Sequence, residues 1–153
     1  MSSEGSSLVY RAIPKSLRLG TGDKAKLKIF ANKLSDRVGG GRPFCCLLAD
    51  DTTLLGLNRE FRKKDYPADV LSFPAFSPAS DLGEIAISVE RAAEQARQYG
   101  HVLLDEIRIL MLHGVLHLAG MDHETDRGEM ARAERKLRLD FGLPASLIAR
   151  AAQ

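Results

Sequence analysis

The sequence predicts an α+β domain: a small mixed four-stranded sheet packed against one buried central helix, with further helices around it. Three observations carry this. Short apolar runs bounded by turn residues recur through the first 90 residues, as strands do. Helical periodicity separates and follows them. One stretch, residues 102–119, is apolar nearly all round, with Leu103, Leu104, Ile107, Leu110, Met111, Leu112, Val115 and Leu118. A helix without a polar face lies in the middle of a domain.

In chain order, residues 1–7 are small and polar and read as a mobile tail, leaving 8–153 as a single domain. Leu8 to Ile13 reads as a first strand. Residues 23–34 read as a helix with Leu27, Phe30 and Leu34 on one face. Gly39 to Pro43 is a turn, and Phe44 to Ala49 a strongly apolar second strand. Within it Cys45 and Cys46 are adjacent, which suits neither an ordinary disulfide nor a CxxC knuckle; they read as strand residues, one on each face, with metal or redox use as the lesser alternative. A helix over Asp51 to Phe61 carries Leu54, Leu57 and Phe61, and residues 62–67 break it. Val70 to Phe73 is a third strand, 74–81 a loop, Leu82 to Ser88 a fourth strand, and Glu90 to Tyr99 a helix stopped by Gly100. After the apolar helix, Asp126 and Glu129 form a capping pair that opens a helix to about Leu139. Pro144 separates a short helical tail.

Composition is that of a soluble globular protein, 44% hydrophobic and 27% charged. No apolar run approaches the ~20 residues that cross a bilayer, and the first residues lack the basic-then-apolar pattern of a secretory signal. A cytoplasmic setting is the default expectation. A net charge of +2 is too small to argue for nucleic acid, so such a case must rest on local clustering.

The chemistry concentrates in HGVLHLAGMDH, residues 113–123, which holds three of the four histidines; His101 stands apart. His113 and His117 fall one turn apart on one helix face. Gly120 stops the helix, because glycine enters a left-handed cap cheaply, and the chain can then return His123 toward the same point. Three converging imidazoles form a metal site with an open position, the arrangement of a catalytic zinc; nickel, copper and iron accept the same ligands. Gly114, costly in mid-helix by about 1 kcal/mol, reads either as tight packing against a neighbouring backbone or as room for substrate beside the metal. Asp122 could orient an imidazole or simply occupy the turn.

The spacing H-x3-H-x2-G-x2-H is that of the metzincin proteases, which makes the fold expectation zincin-like. In those enzymes the first histidine is followed by the glutamate that acts as general base; here that position is Gly114, which argues against peptide hydrolysis. A second segment, LNREFRKKDYPADVLSFP at 57–74, crowds Arg59, Arg62, Lys63 and Lys64 at a helix end. Cations there complement the helix dipole, and such a cluster can also grip phosphates.

The segment HGVLHLAGMDH resembles the H-G-x-L-H-L-x-G-x-D-H signature of the YbeY family, the bacterial and organellar endoribonucleases and rRNA maturation factors. Residues 57–74 resemble its L-N-x-x-[FY]-R-x-x-D-x-P-T-[DN]-V-L-S-F-P signature, and LGEIAIS at 82–88 its L-G-D-I-x-I-[CS] strand. The resemblance spans residues 44–142. It implies zinc ligation by His113, His117 and His123, and Arg62 as the catalytic arginine beside the scissile phosphate. It further implies single-stranded RNA as substrate, maturation of the small-subunit rRNA 3′ end, ribosome quality control, and partners among small-subunit ribosomal proteins and an Era-type GTPase. Ala68 replaces the usual threonine, Glu84 the aspartate and Met121 the tyrosine. Two other readings stay open: an assembly factor with structural zinc, completed by a distant Cys45 or Cys46, and a metalloprotease lacking its glutamate.

Overall fold

The computed structural model describes residues 5–77 and 79–144. Residues 1–4 of the expected tail at 1–7, and the helix after Pro144, lie outside the described residues, while Ser7 opens the first strand. Four strands and five α-helices follow in the order β1 (Ser7–Arg11), α1 (Thr21–Val38), β2 (Phe44–Ala49), α2 (Asp51–Arg62), β3 (Val70–Pro74), β4 (Gly83–Ser88), α3 (Val89–Tyr99), α4 (Leu103–Leu118) and α5 (Glu129–Asp140). The four strands make one mixed sheet, ordered β1-β2-β4-β3. β1, β2 and β4 run parallel, and β3 pairs antiparallel with β4 through Val70 opposite Ile87 and Ser72 opposite Ile85. The expected α+β class, mixed four-stranded sheet and buried central helix all stand.

The side-chain alternation of β2 sorts the two sides of the sheet. Cys46 and Leu48 enter the main core with Leu27, Phe30 and Leu34 of α1 and the apolar face of α4. Leu47 and Ala49 turn the other way, to a smaller cluster with Leu54 of α2, Leu71 and Ala86. Burial pushes the Cys46 thiol up. α4 is as enclosed as its composition requires: Ile107, Leu110, Met111, Val115 and their neighbours are buried. Its N-terminal end is fastened by His101, which the sequence left isolated and whose Nε2 lies 2.6 Å from the buried Glu106 carboxylate.

Several boundaries move for local reasons. β1 ends at Arg11 rather than Ile13, because Ala12 takes φ 56°, where a strand cannot continue. The ordered chain already includes Ser6, which is buried and whose Oγ accepts the Phe44 N–H. A short 3-10 turn at Lys15–Leu17 was not anticipated. α1 runs to Val38 because Ser35 satisfies its hydroxyl on Ala31 O at 3.2 Å, so a polar residue stays helical and buried.

Candidate metal centre

α4 ends in a turn that does two jobs. Gly120 takes φ 95°, its N–H donates to His117 O at 3.0 Å, and the Met121 N–H donates to Leu116 O at 3.1 Å. This is the paired bonding of a Schellman motif, with Met121 packed back on the core. The turn points the Met121 carbonyl at His117, whose Nδ1 donates to it at 2.9 Å. His113 Nδ1 is likewise engaged, 2.8 Å from Glu134 Oε2 on α5. Both ring orientations are therefore set by the nitrogen that faces away from the site, the usual support for a metal-ligating histidine.

The remaining nitrogens converge. The Nε2 atoms of His113 and His117 lie 3.1 Å apart, close to the roughly 3.3 Å that two nitrogens take on one tetrahedral zinc. His123 brings its ligand atom within 4.8 Å of both. The three grade from buried through half-buried to exposed, so the site is anchored on the core side and open on the other. Burial and the neighbouring His113 hold the His117 imidazole below the usual histidine value, which favours the neutral form a metal requires. The donor set fits a divalent metal: three imidazoles, two of them with the nitrogen that faces away from the site already engaged. Among the described residues no cysteine or carboxylate joins this group.

The histidines line a cleft of about 590 Å³ together with Arg62, Ser72 and Asp122. Arg62 ends α2; its Nη2 donates to Ser72 O and its guanidinium lies 5.7 Å from the Phe73 ring centre. The other cations of that segment do not line the histidine cleft. Arg59 pairs with Asp65, Lys63 takes the left-handed conformation that closes α2, and Lys64 lines a neighbouring cavity that Arg62 also borders.

Gly114 is a packing residue. A Cβ there would meet Ile85 at 3.1 Å, Val70 at 3.2 Å and Ser72 Oγ at 3.3 Å, and its carbonyl accepts the Ser72 hydroxyl at 3.0 Å. Asp122 is a turn residue, its Oδ1 accepting the Glu124 N–H at 3.0 Å. The orienting role considered for it falls instead to Glu134 and the Met121 carbonyl, neither of which the sequence reading named. A signal for Glu134 existed: it shares the buried stripe of α5 with Met130 and Leu137.

The fold and site together define a class: an α+β domain whose buried helix presents a three-histidine cluster, able to hold a metal ion, to an open cleft. The sequence profile described as Endoribonuclease YbeY matches residues 28–142. Among curated relatives, the endoribonuclease YbeY of Solibacter usitatus is 51% identical over 149 residues, 97% of each chain. That of Koribacter versatilis is 48% identical over 124 residues, 81% of each chain. A Thermotoga maritima protein solved in solution superposes with a TM-score of 0.58 at 28% identity, covering 84% of this chain and 85% of its own. The chain belongs to the YbeY family.

Proposed function

We propose that this chain is a zinc-dependent endoribonuclease that cuts single-stranded RNA. Its metal ligands are His113, His117 and His123, and Arg62 is its catalytic arginine. The observation that carries this is one cleft in which Arg62 and the three imidazoles face the same space, in a chain whose relatives bear the name endoribonuclease. Zinc bound there would supply water of lowered pKa and polarise a phosphoryl oxygen. Arg62 offers a planar fork for the non-bridging phosphate oxygens, where it stabilises charge that develops during displacement. Its tie to Ser72 O and its seat over Phe73 hold the guanidinium in place before substrate arrives. Glu134 and the Met121 carbonyl keep the ligand nitrogens aimed.

The biological assignment that follows is maturation of the small-subunit rRNA 3′ end and ribosome quality control in the cytoplasm. Small-subunit ribosomal proteins and an Era-type GTPase are its partners. No helix among the described residues is long and apolar enough to cross a membrane. A structural zinc normally has four protein ligands, and Cys45 and Cys46 stand outside the histidine group. Peptide hydrolysis is disfavoured by Gly114, and by Arg62 capping an outward carbonyl of β3, the edge strand an extended peptide would need.

The test compares one RNA sequence as single strand and as duplex, with chelator and with zinc restored. Cutting of the single strand alone, abolished by chelation and recovered with zinc, is expected. Cutting unaffected by complete metal removal would refute the proposal.

A further inference from the structure

We propose that a second cavity, joined to the histidine cleft across Arg62, is a nucleoside subsite that holds one RNA base against Tyr66. The proposal rests on the nuclease reading above. The cavity measures about 500 Å³, within the range of ordinary ligand pockets. It lies among the end of α2, the loop at 63–69 and the flank of α3. Arg62, Asp69 and Glu124 border both it and the histidine cleft, so the two are continuous with Arg62 at the seam. A strand whose phosphate meets Arg62 has its neighbouring nucleoside at this opening.

The wall has the chemistry a nucleotide uses. Arg62, Lys64 and Arg91 supply cations, and Arg91 is steadied by Asp51 at 3.4 Å. Tyr66 as a residue is 54% exposed, yet its backbone is fixed: the buried Asn58 donates Nδ2 to Tyr66 O at 2.7 Å. An aromatic face displayed from an anchored loop is a stacking platform, and stacking accepts any base because every base has a π-face. Gln95 and Asp69 complete the wall, joined to each other by the Gln95 Nε2 bond to Asp69 Oδ2 at 3.2 Å.

The experiment titrates AMP and CMP, with inorganic phosphate as control, into isotope-labelled full-length protein followed by amide NMR. Wild type is compared with Tyr66→Phe and Tyr66→Ala, each checked for an unchanged melting temperature. The expected result is nucleotide-specific shifts at residues 64–69 and near Arg91 and Gln95. Affinity should be kept in Tyr66→Phe and weakened about tenfold or more in Tyr66→Ala. Equal affinity in all three proteins, or shifts that phosphate alone reproduces, would overturn the subsite. Cleavage is then scored separately. Nucleotide binding at Tyr66 by a protein that leaves RNA uncut would sink the nuclease reading and keep the pocket. RNA cutting with Tyr66→Ala identical to wild type in binding and rate would sink the pocket and keep the nuclease.

Discussion

At His113 the ring nitrogen that faces away from the site meets a carboxylate from another helix, Glu134 at 2.8 Å. A buried carboxylate there fixes the tautomer and the orientation of the ring. Glu134→Gln keeps an acceptor of similar shape but loses the charge, and is expected to weaken zinc binding roughly tenfold or more. Competition with a chromophoric chelator measures this, and unchanged affinity would remove Glu134 from the site. The three histidines themselves are legible in the sequence because their spacing is local: one helical turn, then a glycine, then a return. Glu134 was not, since it lies 21 residues from its partner and only tertiary packing brings the two together. Met121 teaches the converse. Its departure from the usual tyrosine matters little to the ring it supports, because the backbone carbonyl does the work.

The ends of α2 show how an element positions Arg62, the proposed catalytic arginine. Asp50 caps it, accepting the Thr53 N–H at 3.0 Å and the Thr53 hydroxyl at 2.6 Å, and those bonds hold its carboxyl below the usual carboxylate range. A depressed folded-state value means that the stabilisation is present in full above the unfolded value of about 3.9 and fades as pH falls through the folded one. Asp50→Ala is expected to cost about 1 kcal/mol near neutrality, with the gap to wild type closing in acid; denaturant titrations at several pH values measure it. A gap that persisted in strong acid would mean the carboxylate is not the cap. The start of α5 differs from the expected capping pair. Asp126 accepts the N–H of Met130 at 2.8 Å and Glu129 accepts that of Arg127 at 2.8 Å, so the two do not cap reciprocally. The helix begins at Glu129 behind Gly128, whose left-handed conformation displaces Asp126 from the capping position.

Across the whole molecule, the buried helix and the strand runs could be read from hydrophobic pattern, but the order β1-β2-β4-β3 could not. A short apolar strand advertises burial without naming its neighbour. The consequence of that order is functional. β3, at the sheet edge, lies over α4 and carries Ser72, which bonds Arg62 through its carbonyl and Gly114 through its hydroxyl. The arginine and the metal helix are thus tied to one strand. A metal held by His113, His117 and His123 would join α4 to the turn before α5, so zinc loading should stabilise the fold as a whole. At zinc a hundredfold above Kd the gain is about 2.7 kcal/mol, a rise in melting temperature of roughly 5–10 °C for a chain of this size. Calorimetry with and without chelator tests it, and a melting temperature indifferent to zinc would contradict a site built from these three ligands.

The most direct measurement is cleavage of single-stranded RNA by rigorously nuclease-free protein, wild type beside His117→Ala and Arg62→Ala, with bound zinc quantified in each. Wild type is predicted to cut. His117→Ala should lose both zinc and cutting. Arg62→Ala should keep its zinc and lose roughly 10²- to 10³-fold in rate. Equal cutting by all three preparations would contradict the nuclease assignment and trace the activity to a contaminant.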